Sequence, residues 1–293
     1  MAVAEPYMTR RTLRGRALTR RPSFLARVSW GDRVGVGLLI GITVLAAIAP
    51  WIAPHKPTAL VSTSALPIPP FHHGFLFGTD DVGHDIFSRV LYGMRTTWFA
   101  SLVVIASGVV VGGTIGVIAG GFGGWSDSLL MRITDIFLAL PAPLLAIAVV
   151  ASLGPSLNHT LLAVMIVWWP FYARIVRGEV KAIAARPHVE AARLSGVGRF
   201  RLAWRHLLPG AVPATLVTAS LDVGNLVLLL AILSFLGLGA QWPSSELALN
   251  SAHGLQYILT DWWIAVIPAL AIFLLALVAN IAGDGLRDML GTQ

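Results

Sequence analysis

Long apolar stretches alternate with shorter polar ones along most of the chain. A helix needs about 20 apolar residues to cross the hydrocarbon core of a bilayer, and six segments approach or exceed that length. The fourth is short, but it reaches residue 176 if Arg174 extends its guanidinium to the membrane surface. We therefore predict an all-α integral membrane protein, a six-helix bundle with spans at residues 34–53, 97–121, 129–153, 157–173, 212–238 and 263–281.

The composition agrees with a membrane protein. Of the 293 residues, 56% are hydrophobic and only 12% are charged, whereas a soluble chain has about 25% charged residues. So few charges cannot cover the surface of a soluble protein of this size. The chain also has no cysteine, which excludes disulfides, thiolate metal sites and cysteine nucleophiles.

The net charge of +7 comes from two basic blocks, residues 1–33 and 174–205, which hold 16 of the 21 Lys and Arg residues. No aromatic residues alternate with a basic face as base stacking requires, so we predict no nucleic-acid binding. Basic residues favour the cytoplasmic side of a membrane. With the N-terminus inside, 18 basic residues are cytoplasmic and only Lys56, Arg89 and Arg95 lie outside. We therefore expect both termini in the cytoplasm.

These assignments divide the chain into five segments. Residues 19–25 resemble a twin-arginine signal displaced by one residue, but the apolar run that follows is too long for a signal peptide. We expect a retained tail that can touch anionic membrane lipid. The segments are a basic cytoplasmic tail (1–33), a first membrane helix (34–54), an outer loop with an interfacial helix (55–96), a five-helix core (97–288) that includes a cytoplasmic loop (177–212), and a C-terminal tail (289–293).

The second span carries a glycine every four residues. Because four residues are slightly more than one helical turn, these glycines form a stripe along which another backbone can approach closely. Tight helix packing is the expected role, and a glycine-lined conduit is the alternative. The stripe consists of Gly108, Gly112, Gly116, Gly120 and Gly124.

Polar residues inside spans are costly and therefore informative. In the fifth span Thr215, Thr218, Asp222 and Asn225 share one helical face. This face either lines a hydrated translocation path or forms hydrogen bonds with another helix or a second subunit.

Three smaller features of the spans also lead to expectations. In the third span we expect a local ion pair between Arg132 and Asp135. We expect a bend at Pro141 and Pro143. Four tryptophans lie near the proposed interfaces, where an aromatic belt accounts for them without a ligand: Trp168, Trp169, Trp262 and Trp263.

The basic loop between the fourth and fifth spans is amphipathic. We predict a helix around Glu190, a break at Gly196, a second short helix over 198–208, and a turn into the membrane at Pro209. Small side chains at Ala191 and Ala192 would let the first helix enter a groove on another protein.

This loop resembles the EAA loop of ABC-importer permeases. That pattern is EAA, three residues, G, nine residues and I-x-L-P; here it is matched by Glu190-Ala191-Ala192, Gly196 and Leu208-Pro209. His206 occupies the hydrophobic position, and Leu207 beside it can supply the apolar contact.

Further motifs resemble the C-type permease of dipeptide and oligopeptide importers. In the outer loop, Gly78, Thr79, Asp80, Gly83 and Asp85 match L-G-T-D-x-x-G-R-D, with His84 in place of arginine. Four other matches are S-R-V-L-Y-G-M-R (88–95), Y-A-R-I-V-R-G-E (172–179), L-S-F-L-G-L-G (233–239) and G-D-G-L-R-D (283–288). The chain departs from the family at Glu246-Leu247, where a Trp-Gly pair is usual.

The resemblance implies a MetI-like type I ABC-importer permease in a bacterial inner membrane. It implies a heterodimer with a second permease, two ATPase subunits and an external solute-binding protein. ATP and Mg would bind to the ATPases, with no cofactor in this chain. Short peptides are the implied substrate; nickel, glutathione or haem are alternatives. The implied ATPase contacts are Glu190, Ala191, Ala192, Arg193, Gly196, Arg205, Leu208 and Pro209.

The residues themselves give no catalytic set. Neither lysine, Lys56 nor Lys181, lies in a phosphate-binding G-x-x-x-x-G-K-[ST] loop, and no zinc-protease helix or nucleophile elbow is present. We therefore expect a non-enzymatic subunit. A secondary transporter coupled through Asp222 or Asp135 is a less favoured alternative, because no internal repeat is visible. We predict no metal site, although histidines 55, 72, 73 and 84 in the outer loop leave a metal role as a minor alternative.

Overall fold

The computed structural model describes residues 30–63 and 66–291. The predicted basic tail, apart from its last four residues, and residues 292–293 lie outside this part. The described residues form α-helices joined by turns, without a β-strand. The helices are α1 (Trp30–Ile52), α2 (Ile86–Phe122), α3 (Gly124–Leu138), α4 (Ala142–Leu153), α5 (Leu157–Ala184), α6 (Pro187–Leu194), α7 (Arg199–Leu202), α8 (Leu208–Phe235), α9 (Leu247–Gly254) and α10 (Trp263–Gly291).

Five helices in the described part are long and apolar enough to span a membrane, and the bent pair α3–α4 makes a sixth if it is counted as one span. The all-α membrane bundle is therefore confirmed. The pair is bent by 83° at Pro141, which precedes the first residue of α4. The predicted bend is correct, and it is sharp enough to divide the expected third span into two helices.

Helix α2 differs from the prediction at its beginning. Residues 86–96 are part of the predicted outer loop with an interfacial helix (55–96), but they form the first three turns of one helix of 37 residues. At about 1.5 Å per residue this helix is about 55 Å long, well beyond the roughly 30 Å of the hydrocarbon core. Part of this helix must therefore extend beyond the hydrocarbon core.

The main hydrophobic core lies between α2, α5, α8 and α10, and α1 and α4 add buried residues to it. Its large buried side chains include Trp98, Tyr172, Leu226 and Leu233. Two smaller clusters extend it. One lies at the end that carries α6 and α7, and the other lies where α9 meets the beginnings of α2 and α10.

The predicted turn at Pro209 is wrong. A π-helical turn, Ala203–Leu207, joins α7 directly to α8, and Pro209 lies in the first turn of α8. Proline lacks the N–H for an i→i−4 hydrogen bond, and a π turn is one of the local rearrangements that occur where that ladder is disturbed. The backbone therefore remains helical from Arg199 to Phe235.

Candidate functional site

The loop between α5 and α8 holds a short helix with well-defined ends. Helix α6 begins with Pro187, at a position where a missing N–H breaks no hydrogen bond. It ends before Gly196, whose φ of +81° suits glycine. The N–H of Val197 donates to the carbonyl of Ala192 (3.1 Å) and closes the helix end. Local sequence therefore fixes where this helix starts and stops.

One face of α6 is anchored to the protein. Val189 is fully buried and packs in the cluster formed by α5 and the α7–α8 junction. In that cluster it joins Val180, Ile183, Leu202 and Leu207. The buried Leu207 supplies the apolar contact expected beside His206. Helix α6 therefore rests on the ends of two membrane helices and can move with them.

The rest of the α6 surface is exposed. Glu190, Ala191, Arg193 and Gly196 are exposed, and Ala192 is half-buried. The side chains of Glu190 and Arg193 have no ion pair or hydrogen bond with any residue that the structure describes. Four of the five central residues of the sequence motif are thus exposed, and Ala192 is half-buried against the core cluster.

Sequence reasoning missed two residues of this loop. Leu194 is 85% exposed, and it follows Glu190 by four residues, so the two lie on the same helical face. Val189 is the buried anchor on the other side. The helical spacing from Glu190 could have indicated Leu194, whereas the burial of Val189 depends on α5 and α8.

The C-terminal part of the predicted motif lies at the junction of α7 and α8, outside α6 itself. Arg205 is exposed and unpaired among the described residues, Leu208 is half-buried, and Pro209 is exposed within the continuous helix. These three residues follow the helical path from α7 into α8.

Ion pairs connect α3 to α5 near this loop. Asp127 accepts hydrogen bonds from Arg177 (2.5 Å) and Lys181 (2.6 Å). Asp135 pairs with Arg174 at 2.5 Å, so the expected local pair with Arg132 is wrong. The guanidinium of Arg174, on the facing helix α5, reaches the Asp135 carboxylate, whereas Arg132 on the same helix as Asp135 forms no ion pair with it.

The polar face of α8 makes hydrogen bonds between helices. Buried Asp222 accepts from Trp168 Nε1 (2.5 Å) and Tyr172 Oη (3.1 Å), both on α5. Thr215 and Thr218 bond to carbonyls of their own helix, and Asn225 is exposed. For Asp222 these contacts support the interhelical interpretation.

The tryptophans predicted to form a belt have mixed roles. Trp168 donates to Asp222, and the buried Trp263 donates to the carbonyl of Thr79 (3.2 Å). Trp169 packs its ring against Phe137. Only Trp262 among the four is largely exposed, at 52%. The belt expectation is wrong for Trp168 and Trp263, whose indole N–H groups have partners inside the protein.

The glycine stripe of α2 faces α5. A β-carbon at Gly112 would lie 2.3 Å from the Trp169 carbonyl oxygen, and one at Gly116 would lie 2.7 Å from the Ala173 carbonyl oxygen. Gly108 and Gly120 are similarly close to α5. Gly124 has a φ of +59°, has open space around it and lies outside the stripe. The geometry is that of close helix packing without a conduit.

The outer-loop motif forms a compact turn. Asp80 Oδ1 accepts the backbone N–H groups of Val82, Gly83 and His84 at 2.7–3.1 Å. Asp85 caps α2 by accepting from the N–H groups of Phe87 and Ser88. Gly83 has a φ of +98°, and a β-carbon there would lie 2.3 Å from the Ser62 carbonyl oxygen. Thr79 is buried, and Gly78 also has a positive φ, +78°.

Arg89 links this turn to the loop before α9. The side chain is only 2% exposed. Its Nη2 donates to Asn250 Oδ1 (2.6 Å) and to the Ser244 carbonyl (2.8 Å). The guanidinium also lies 4.6 Å from the centre of the Trp242 ring. Its Nε is 3.8 Å from Asp80 Oδ2. The sequence motif contained Arg89, but the two acceptors of its Nη2, Ser244 and Asn250, lie 155 and 161 residues further along the chain.

The departure from the family at Glu246 has a structural role. Its carboxylate caps α9 by accepting the N–H of Leu249 at 2.8 Å. Burial raises the pKa of this carboxyl above its usual range.

The outer-loop histidines do not converge on a metal site. His84 pairs with Asp80 (2.8 Å) and His55 with Asp85 (3.4 Å), while His72 bonds to the Pro70 carbonyl. Among the residues that the structure describes, no three His, Cys, Asp or Glu side chains are grouped to hold a metal ion.

Comparison with known proteins gives consistent matches. Residues 112–291 match the family model of the binding-protein-dependent transport system inner membrane component. The chain is 41% identical over 253 residues to the "Probable D,D-dipeptide transport system permease protein DdpC" of Escherichia coli, covering 86% of this chain and 84% of that protein. It is 35% identical over 271 residues to the dipeptide transport system permease protein DppC of Haemophilus influenzae, covering 91% and 92%.

Two further matches concern substrate and fold. The glutathione transport system permease protein GsiD of Pectobacterium atrosepticum is 42% identical over 215 residues, covering 73% of this chain and 71% of that protein. A solved inward-facing structure of the MetNI methionine ABC transporter aligns with a TM-score of 0.56 at 21% identity, covering 70% of this chain and 97% of the other. At that identity the structural match shows a common fold.

Proposed function

Because this chain belongs to the family of binding-protein-dependent transport system inner membrane components, we propose that it is the peptide-importing permease subunit of an ABC transporter. It forms one half of a translocation path and receives mechanical work through α6. ATP and Mg bind to separate ATPase subunits, and this chain itself is non-catalytic. Both termini face the cytoplasm.

The arrangement of α6 carries this proposal. A helix that is buried on one side through Val189 and exposed at Glu190 and Leu194, which share a different face, suits insertion into a groove. Movement of a partner that holds this helix can be passed to the ends of α5 and α8, because Val189 belongs to a hydrophobic cluster that contains residues of both helices. These are the helices that the Asp222 hydrogen bonds join farther into the bundle.

The proposed partners follow from what the chain lacks and what it exposes. The sequence has no phosphate-binding loop, so ATP hydrolysis requires other chains, which we take to be two ATPases. A second, homologous permease completes the path, and an external binding protein delivers the solute.

Short peptides are the proposed substrate class. Relatives named as D,D-dipeptide, dipeptide and glutathione permeases match most of the chain, and glutathione is itself a tripeptide. Uptake of radiolabelled dipeptides, D,D-dipeptides and glutathione by cells that carry the complete transporter would separate these substrates. Uptake of nickel or haem with no peptide uptake would contradict the proposal.

The proposed path runs beside the polar face of α8. Thr218 is half-buried and Asn225 is exposed, so their side chains can contribute to a path shared with the second permease. Asp222 contributes indirectly, because its carboxylate is occupied by Trp168 and Tyr172.

The coupling role is tested by charge reversal on α6. We expect Glu190→Arg to abolish stimulation of ATP hydrolysis by substrate and binding protein, because an arginine at this exposed position would repel basic groups of the ATPase groove. The measurement is ATPase activity of the full complex in proteoliposomes, with and without substrate and binding protein.

The matched control is His188→Arg. His188 is also exposed on α6, but two residues place it about 200° around the helix from Glu190. This variant should retain most of the stimulation. If Glu190→Arg assembles with the ATPases and is stimulated as strongly as the unmodified complex, α6 is not the coupling element.

A further inference from the structure

A large apolar groove lies at the α6 end of the membrane bundle. Its volume is about 670 Å³, and it runs between the second half of α2 and the segment that joins α7 to α8. The α2 side contributes Val110, Thr114 and Ile118, and the other side contributes Phe200 and Trp204. Phe200 is 69% exposed and Trp204 is 50% exposed. No residue that the structure describes covers the two rings fully.

The groove offers no free polar groups to a ligand. Its two hydroxyl groups are satisfied by nearby carbonyls: Thr114 donates to Val110 (2.6 Å) and Ser126 donates to Gly123 (2.7 Å). The remaining lining residues are apolar side chains and one glycine. Such a surface suits a hydrocarbon chain and offers a polar solute no hydrogen-bonding partner.

Arginines border the two aromatic residues in the sequence. Arg199 and Arg201 flank Phe200, and Arg205 follows Trp204. All three arginines are exposed, and none has an ion pair or side-chain hydrogen bond among the residues that the structure describes. The segment is thus a short amphipathic element with aromatic groups on the apolar side and unpaired cations beside them, a combination typical of helices at membrane surfaces.

We propose that this groove binds an anionic phospholipid, with an acyl chain lying between α2 and Trp204 and the phosphate held by Arg199 and Arg201. The charge complementarity of unpaired arginines and a lipid phosphate favours this occupant over a helix of another subunit. The bound lipid fills the space beneath the loop and supports the α7–α8 junction on which α6 rests. The site is independent of which solute is carried.

Photocrosslinking tests the proposal in the assembled transporter. A benzophenone amino acid replaces Ile118 in the groove or, as a control, Val103, which is exposed on the same helix outside the groove. The complex is reconstituted in phosphatidylcholine bilayers with one-tenth phosphatidylglycerol. After irradiation, the mass of this chain is measured. We expect phosphatidylglycerol in most lipid adducts at position 118, several times its share of the bilayer, and no such enrichment at position 103.

A charge variant identifies the headgroup contacts. The double variant Arg199→Gln with Arg201→Gln should reduce the phosphatidylglycerol share of the adducts at position 118 to about its share of the bilayer, because each arginine near a membrane surface contributes to anionic lipid binding. The control, Arg186→Gln with Arg287→Gln, removes the same charge from other exposed positions and should leave the enrichment unchanged. Crosslinking of position 118 to another protein subunit, adducts in proportion to bilayer composition, or no adduct at all would each overturn the proposal.

Discussion

Charged side chains are buried and paired at the outer end of this protein, whereas those on α6 are exposed and unpaired among the described residues. At the outer end Asp80, Asp85 and Arg89 are at least 96% buried, and each makes several hydrogen bonds within the chain. On α6, Glu190 and Arg193 are exposed and have no partner in the part of the chain that the structure describes. The outer loop pairs its polar groups within the chain, whereas the α6 loop leaves its charges exposed.

This difference separates residues that support the fold from residues that are available for function. A buried ionic group without its partner costs several kcal/mol, whereas an exposed charge costs almost nothing. Motif residues at the outer end are therefore expected to affect stability, and those on α6 are expected to affect coupling. Substitutions at the two ends test that division.

The largest effect is expected for Arg89→Met. This change leaves Asn250 Oδ1 and the Ser244 carbonyl without their donor and removes the cation beside Asp80, so we expect a loss of about 3–5 kcal/mol in unfolding free energy. The measurement is thermal unfolding of the purified protein. Arg95→Met, at an exposed arginine without a partner among the described residues, should change stability by less than about 0.5 kcal/mol. Equal effects of the two variants would show that burial of Arg89 has no energetic consequence.

Val189→Ala tests whether a buried residue at the α6 end affects both stability and coupling. Val189 is the one fully buried residue of α6. Removing two buried methyl groups should cost about 2 kcal/mol. Since this residue connects α6 to α5 and α8, we also expect weaker stimulation of ATP hydrolysis by substrate. Thermal unfolding and proteoliposome ATPase assays measure the two effects. His188→Gly, at an exposed position of the same helix outside the motif, tests whether loss of helix stability alone weakens the stimulation.

Several features were predictable from sequence because they depend on local composition. The membrane helices follow from apolar length, the bend at Pro141 from the missing N–H, and the end of α6 from Gly196. The partners of Asp135 and Arg89 were not predictable, because they lie on helices distant in sequence. The role of Pro209 was misjudged because a π turn kept the backbone helical. Most α6 residues of the sequence motif are exposed, as a contact surface requires. Val189 could not be recognised as the buried anchor from sequence, because its burial depends on the positions of α5 and α8.

The smallest effect on stability is expected for Leu194→Ala. Leu194 is 85% exposed, so its removal takes little apolar surface from the folded core, and the unfolding free energy should change by no more than about 0.5 kcal/mol. A leucine this exposed beside Glu190 is well placed to enter an apolar pocket of the ATPase, and its loss should weaken assembly of the complex. Co-purification of the ATPases with the variant measures this, with Leu259→Ala as the control, since Leu259 is 96% exposed on the loop before α10. Normal ATPase recovery with Leu194→Ala would restrict the docking surface to the charged residues of α6.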